Sequence, residues 1–283
     1  MGYEFVKGAI YRMPTHFGPA LGPRQMANGS PRAGSKTSPH THTTAVSFRT
    51  DPAKLTVLMP PGFELGQPIV SITCTYMKEI DWLAGRGYNV VGVNVPVTYY
   101  GKREVISGLL RLVTWESLAD PIITGREELG FPKVYGEIPD LEWERARGRA
   151  RTQVGWGGFK FLEYEITNMV EKPIDTAEER VPGLHVKYVP RTGEWGEADV
   201  CYVTVNGLPK PGSQPVPRQN WVTTVKRFTG KGSVAFNHAT WEQLPTLSNI
   251  VNPLADLDVF EVVAASLTET IGSAGLRGVR IVE

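Results

Sequence analysis

Residues 125–138 read GREELGFPKVYGEI and set one lysine, Lys133, between Phe131-Pro132 and Val134-Tyr135. Lysines ordinarily stand where water reaches the ammonium. An ordinary lysine has a pKa near 10.4, so only about one in a thousand is a free amine at neutral pH. Apolar surroundings disfavour the ammonium, pull that pKa down and free the lone pair for attack. The competing reading is a snorkelling lysine, whose stem packs while its head stays wet.

Working outward, residues 116–130, ESLADPIITGREELG, have the pattern of a helix with a Pro-marked break that ends at Gly130. Residues 102–117, KREVISGLLRLVTWES, suit a strand or a helix. GYNVVGVNVPVTYYG (87–101), QPIVSITCTYM (67–77) and TTAVSFRTD (43–51) read as strands rich in β-branched and aromatic residues. Between the last two, Asp51 is placed to cap a short helix with Pro52 at its first position, and Pro60-Pro61 ends it. Downstream, EWERARGRARTQVGW, FKFLEYEITNM, GLHVKYVPR, ADVCYVTVNG and GKGSVAFN are strand-like runs separated by turn residues. The tail predicts a loop and a final helix near 259–269. Strand spacing of this kind predicts a mainly antiparallel sheet or partial barrel. With the few helices, the fold class is α+β. The chain shows no repeat, and it reads as a single domain over 1–283. Within it, 14–44 form a Pro/Gly/Ser-rich loop or arm that wraps a neighbouring subunit or covers a site.

The 283 residues are 41% hydrophobic and 21% charged, with a formal charge of +1. No global field favours nucleic acid or an anionic membrane. No apolar run is long enough to span a bilayer, the N-terminus lacks a signal-peptide pattern, and the cytoplasm is the default location. Cys74 and Cys201 read as buried small apolar residues. The stretch TGKGS at 229–233 lacks the upstream glycine of a phosphate loop. His40 and His42 have no third metal ligand nearby in sequence and read as a polar loop. Arg145, Arg147, Arg149 and Arg151 alternate, which on a strand puts them on one face paired with acidic neighbours.

The wider stretch DPIITGREELGFPKVYGEI (120–138) resembles the signature of the acetoacetate decarboxylase family: Gly-Arg-Glu, a spacer, then aromatic-Pro-Lys. FRTDPAKLTVLMPPGFEL, GYNVVGVNVPVTYYG and the segment from GKGSVAFNHATWEQLPTL to LADLDVFEVV fit the family in order, so the resemblance covers about residues 45–270. It implies a cone-like partial β-barrel around the lysine, a homo-oligomer, no cofactor, and a small oxo acid or ketone as substrate. It also implies that Lys133 forms a Schiff base whose iminium acts as electron sink. Arg126 and Glu127 would buttress the lysine loop. Tyr88 and Tyr135 are candidate proton donors, with core packing as the plainer role.

Several positions depart from the family pattern. Acetoacetate decarboxylase is a standard example of a lysine activated by a neighbouring cation, and its second lysine is Val134 here. Two family glutamates fall at Val90 and Thr73, and the family arginine falls near Thr41. Arg24 or Arg32 would have to replace that arginine in space, and Glu79, Asp81 or Glu116 the carboxylates. These losses argue against acetoacetate itself and toward decarboxylation, aldol, dehydration or cyclisation chemistry on another oxo acid. Two other classes remain open on the same residues: a binding protein that keeps the pocket without turnover, and an enzyme of this fold that does not use the lysine covalently.

Overall fold

The computed structural model describes residues 4–174, 181–212, 221–274 and 278–283. Among them, strands form one open, mainly antiparallel sheet ordered β14-β11-β10-β5-β4-β3-β1-β13-β12-β9-β8-β7. In chain order the strands are β1 His40–Arg49, β2 Phe63–Leu65, β3 Ile69–Ile80, β4 Arg86–Tyr100, β5 Val105–Glu116, β6 Lys133–Tyr135, β7 Glu142–Glu144 and β8 Arg149–Trp156. They continue with β9 Phe159–Lys172, β10 Gly183–Pro190, β11 Ala198–Asn206, β12 Thr223–Phe236, β13 Glu261–Ile271 and β14 Val279–Ile281. The helices are α1 Pro52–Thr56, α2 Ala119–Thr124 and α3 Ser248–Ala255.

Alternation sorts the sheet into two faces. On one, Val46, Phe48, Ile72, Cys74, Val91, Val93, Trp115, Phe161 and Leu267 are buried, joined by Leu55 from α1 and Val251 and Leu254 from α3. Each such side chain contributes roughly 1.5–3 kcal/mol of burial. The opposite face carries small, mostly hydroxyl-bearing residues in register: Ser47 opposite Ser71, Ala45 opposite Thr73 and Thr43 opposite Thr75. Two of these rows close hydroxyl contacts, Ser47 to Ser71 at 2.8 Å and Thr43 to Thr75 at 3.4 Å.

Several expectations hold. Asp51 caps α1 by accepting from the Ala53 amide, with Pro52 in the first turn. The 102–117 stretch resolves to strand β5, because it lies against β4 along its whole length. Others change. The final helix expected near 259–269 is strand β13, held between β1 and β12. The helix of the tail lies earlier, at α3. Ala, Leu and Glu favour helix locally, but two sheet neighbours override that preference. Pro121 lies in the first turn of α2 and breaks nothing; the change comes at Gly125–Leu129, a π-helical turn ended by Gly130 at φ 77°.

The loop expected over 14–44 gives way to β1 at His40, so His40 and His42 are strand residues. They face Glu79 at 2.7 Å and Glu269 at 3.8 Å. Arg145 and Arg147 lie in a 3-10 turn, leaving Arg149 and Arg151 on strand β8. All four pair with glutamates: Arg145 with Glu269, Arg147 with Glu144, and Arg149 and Arg151 with Glu165. Cys74 is buried, and burial pushes its thiol up to about 12, whereas Cys201 is exposed.

Candidate active site

The lysine loop is held from both ends. The Phe131 amide donates to the Gly125 carbonyl at 3.0 Å, and the Thr114 amide of β5 donates to the Pro132 carbonyl at 2.9 Å. Arg126 donates to the Lys133 carbonyl at 2.8 Å, which is the buttressing expected of it. The neighbouring Glu127 has an exposed side chain, and its backbone carbonyl accepts from Lys187 at 2.5 Å. Glu128 does more. It pairs with Arg24, and with Arg12 at 3.0 Å, in a cluster with little solvent exposure. Arg24 also donates to the Thr124 carbonyl at 3.0 Å. The N-terminal segment therefore covers the lysine loop, and of Arg24 and Arg32 it is Arg24 that reaches this region, together with Arg12.

Short strand β6 runs parallel to the end of β5, with Lys133 beside Thr114, Val134 beside Trp115 and Tyr135 beside Glu116. Lys133 thus lies on the polar face and Val134 on the apolar one, where it packs against the core. A side chain at 134 points away from the amine. Position 134 is thus adjacent to the amine in sequence and opposite to it in space.

The Lys133 side chain passes over Gly125, where a Cβ would come within 2.5 Å of Cδ and Cε and 2.7 Å of Nζ. Its Nζ lies 2.7 Å from Glu116 Oε1 and donates to the Pro121 carbonyl at 3.0 Å. Side-chain exposure is 12% for Lys133 and 2% for Glu116, so desolvation dominates their electrostatics. Burial pulls the amine below its ordinary value against the attraction of Glu116, with Arg24 and Arg111 adding to the fall. Burial likewise raises the Glu116 carboxyl against the fields of Lys133 and Arg111. Both shifts favour the uncharged forms, a free amine beside a carboxylic acid. The second carboxyl oxygen, Oε2, has no hydrogen-bond partner.

Val90 stands directly across from Glu116, and Thr73 across from Gly92. The sites of the two lost family glutamates therefore line this face, and the carboxylate present comes from the adjacent strand. Of the other substitutes considered, Glu79 pairs with His40 and Asp81 accepts from Ser38 at 2.8 Å, while Arg32 donates to the Gly22 carbonyl at 3.1 Å. Tyr88 lies on the Val90 face of β4 against Trp82. Burial first, then the Glu116 charge, raises its phenol and keeps it protonated. Tyr135 is half exposed beside Glu116.

Two groups nearby escaped sequence reasoning. In the β4–β5 pairing, Val93 faces Val113 but Asn94 faces Arg111, leaving Leu112 as a bulged extra residue. That bulge reverses the alternation and turns Arg111 onto the Lys133 face. There its guanidinium covers Gly92, in the space a Cβ would take. His185 of β10 stacks on Phe131 with ring centroids 4.0 Å apart. Burial and then the charge of Arg111 hold it down to about 3, with Asn206 opposing. Neither ring nitrogen closes a hydrogen bond of normal geometry, to Asn206 or to any other group. The bulge depends on strand register, so no local motif announces Arg111. A cavity of about 300 Å³ elsewhere, lined by Asp140, Glu142, Arg151, Glu163 and Glu165 among others, shares none of these groups. Among the described residues no cluster of three or more metal-ligating side chains occurs, and no helix is long and apolar enough to cross a membrane.

The sequence profile of the family described as acetoacetate decarboxylase matches residues 12–279. The acetoacetate decarboxylase of Ralstonia nicotianae is 25% identical over 227 residues, 78% of each chain. The crystal structure of acetoacetate decarboxylase from Legionella pneumophila superposes with a TM-score of 0.65 at 20% identity, covering 91% of this chain and 92% of that one. The enduracididine biosynthesis enzyme MppR, complexed with pyruvate, gives 0.62 at 16% identity over 90% of this chain and 94% of its own. With most of its length matched, the chain belongs to the acetoacetate decarboxylase family.

Proposed function

We propose that this protein is a Schiff-base lyase of the acetoacetate decarboxylase type, acting without a cofactor on a small oxo acid or ketone through Lys133. The observation that carries the reading is the buried Lys133 Nζ, 2.7 Å from Glu116 Oε1, with burial favouring the neutral form of each group. The free amine attacks the ketone carbon. The resulting carbinolamine loses its hydroxyl as water, with Glu116 donating the proton and becoming carboxylate. The iminium so formed draws in the electron pair of a bond to the adjacent carbon. If that bond leads to a carboxylate, carbon dioxide departs; if it leads to hydrogen, the Glu116 carboxylate takes the proton and an enamine is left for aldol or dehydration chemistry. The enamine left by loss of carbon dioxide takes a proton at carbon, which re-forms the iminium, and water then adds to release the product and the lysine.

Val90 and Thr73, in place of the family glutamates, favour a substrate other than acetoacetate. MppR binds pyruvate on a similar fold, which supports including 2-oxo acids. The same reading makes the protein a cytoplasmic homo-oligomer, and elution at monomer mass on size exclusion would refute the oligomer. For the chemistry, the protein is incubated with pyruvate, acetoacetate and a panel of small ketones, reduced with borohydride, digested and examined by mass spectrometry. A stable adduct on Lys133, lost in Lys133→Ala, is the expected result. No adduct from any carbonyl, with Lys133 titrating near 10.4, would sink the proposal in favour of a binding role.

A further inference from the structure

Among the described residues, Arg111 faces Lys133 without a partner of its own. Arg12 and Arg24 share Glu128, whereas the Arg111 guanidinium makes no hydrogen bond or ion pair among the described residues. Burial lowers its pKa to about 10, still charged at neutral pH. Three guanidinium groups, those of Arg12, Arg24 and Arg111, thus accompany one carboxylate, that of Glu128, and the Glu116 carboxyl, whose burial favours the acid. The cluster holds positive charge that an anion would neutralise, and leaving it unneutralised is costly in a desolvated site.

Position strengthens the argument. Gly92, Thr114 and Lys133 lie in one row across β4, β5 and β6. Arg111 covers the Gly92 end of that row, and the amine rises from the other end. Two strand spacings, about 10 Å, separate the backbones, and both side chains reach inward. Leu110 pairs with Leu184 in parallel, which brings the next residues, Arg111 and His185, side by side. His185 is 5% exposed, stays neutral and has both ring nitrogens unpartnered. One of those nitrogens carries a hydrogen to donate.

We propose that Arg111, with His185 beside it, holds the carboxylate of the substrate, so that the site prefers oxo acids to neutral ketones. The proposal rests on Lys133 as the covalent residue, and it names the anchor for the other end of the substrate. A guanidinium meets a carboxylate through paired N–H donors, a geometry a lysine ammonium does not match.

The test compares oxo acids with neutral partners of matched size: pyruvate and acetoacetate against their methyl esters, scored by borohydride trapping at several concentrations. The readout is the ratio of half-saturating concentrations for ester and acid, because losing Arg111 also changes the amine's pKa and affects both substrates. Wild type is expected to favour the acids, and Arg111→Met to shrink that preference about thirtyfold, with Arg111→Lys between the two; hydrogen bonds to charged groups support a change of this size. Gly92→Ala, which displaces the guanidinium without deleting it, is expected to act the same way and stands in if Arg111→Met fails to fold. A preference unchanged within twofold in folded Arg111→Met or in Gly92→Ala overturns the proposal. If wild type traps no carbonyl at all, the Lys133 reading fails, and calorimetry with oxamate decides the anion site separately. Binding that Arg111→Met or Gly92→Ala abolishes supports it; no binding, or binding unchanged in those variants, overturns it.

Discussion

Val134→Lys restores the residue that acetoacetate decarboxylases carry after their reactive lysine, and its expected effect follows from strand geometry. A cation about 5 Å from Nζ in an effective dielectric near 20 is worth about 3 kcal/mol, and would lower the amine's pKa by about two pH units. Position 134 instead points to the apolar face beside Trp115. An ammonium there lies at least twice as far from Nζ, and its end seeks solvent on the other side of the sheet. At about 10 Å, with its end in solvent where the effective dielectric is near 80, the interaction falls to about 0.4 kcal/mol, so the expected lowering is under about half a pH unit. The cost falls on stability, because a partly buried valine packed against the core gives way to a charge; about 1–3 kcal/mol is lost, or several degrees in Tm for a chain of this size. The rate of adduct formation on Lys133, followed by mass spectrometry across pH 5–10, reports the amine's pKa, and a thermal melt reports the cost. An apparent pKa lowered by about two in Val134→Lys, with the melt unchanged, would refute the assignment of residues 133 and 134 to opposite faces.

Three further substitutions probe the site. Glu116→Gln removes both the proton donor and the charge that raises the amine's pKa, so adduct formation should slow about a hundredfold or more, while its pH midpoint moves down. The same variant tests linkage. The folded Glu116 carboxyl has a raised pKa, so the native state holds the extra proton and stability falls as pH rises from about 4.5 through the raised value; urea midpoints of Glu116→Gln should lose that part of the slope. Gly125→Ala keeps a helical backbone, φ −70°, but puts a methyl group against Lys133 Cδ, Cε and Nζ; adduct formation should fall at least tenfold, with about 1–3 kcal/mol lost from overpacking, measured by trapping and denaturation together. Arg24→Met leaves Glu128 with Arg12 alone and removes a cation that lowers the Lys133 pKa; about 3 kcal/mol of destabilisation and an upward move of the amine's pH midpoint are expected, by melt and by trapping rate.

What could be read in advance divides along physical lines. Arg126 and the Asp51-Pro52 cap lie in short stretches whose contacts are local, and each makes a local hydrogen bond of the kind expected; Lys133 is buried, but beside Glu116 and on the face opposite Val134. Glu116 entered as one of several acids able to replace the lost glutamates, and only the pairing of β5 with β4 and β6 separates it from Glu79 and Asp81. Arg111 was hidden for a stronger reason. A plain alternation counted back from Glu116 assigns it to the apolar face, and one bulged residue reverses the result. The 259–269 segment failed as a helix because its neighbours in space, β1 and β12, lie far away in sequence. Val134 shows the converse, a residue next to Lys133 in sequence whose side chain lies across the sheet from it.

The bulge at Leu112 makes the charge content of this site a matter of chain length as well as residue identity. Deleting Leu112 would leave Arg111 on its present face, whereas inserting one residue in β4 between Val93 and Asn94 would give Leu112 a partner and carry Arg111 to the side of Val113 and Trp115. The Lys133 face would lose a cation although no polar residue had been exchanged. A relative with one more residue in β4 opposite this bulge would then differ in the ligands it accepts, and an alignment of β5 alone would pair arginines that face opposite ways.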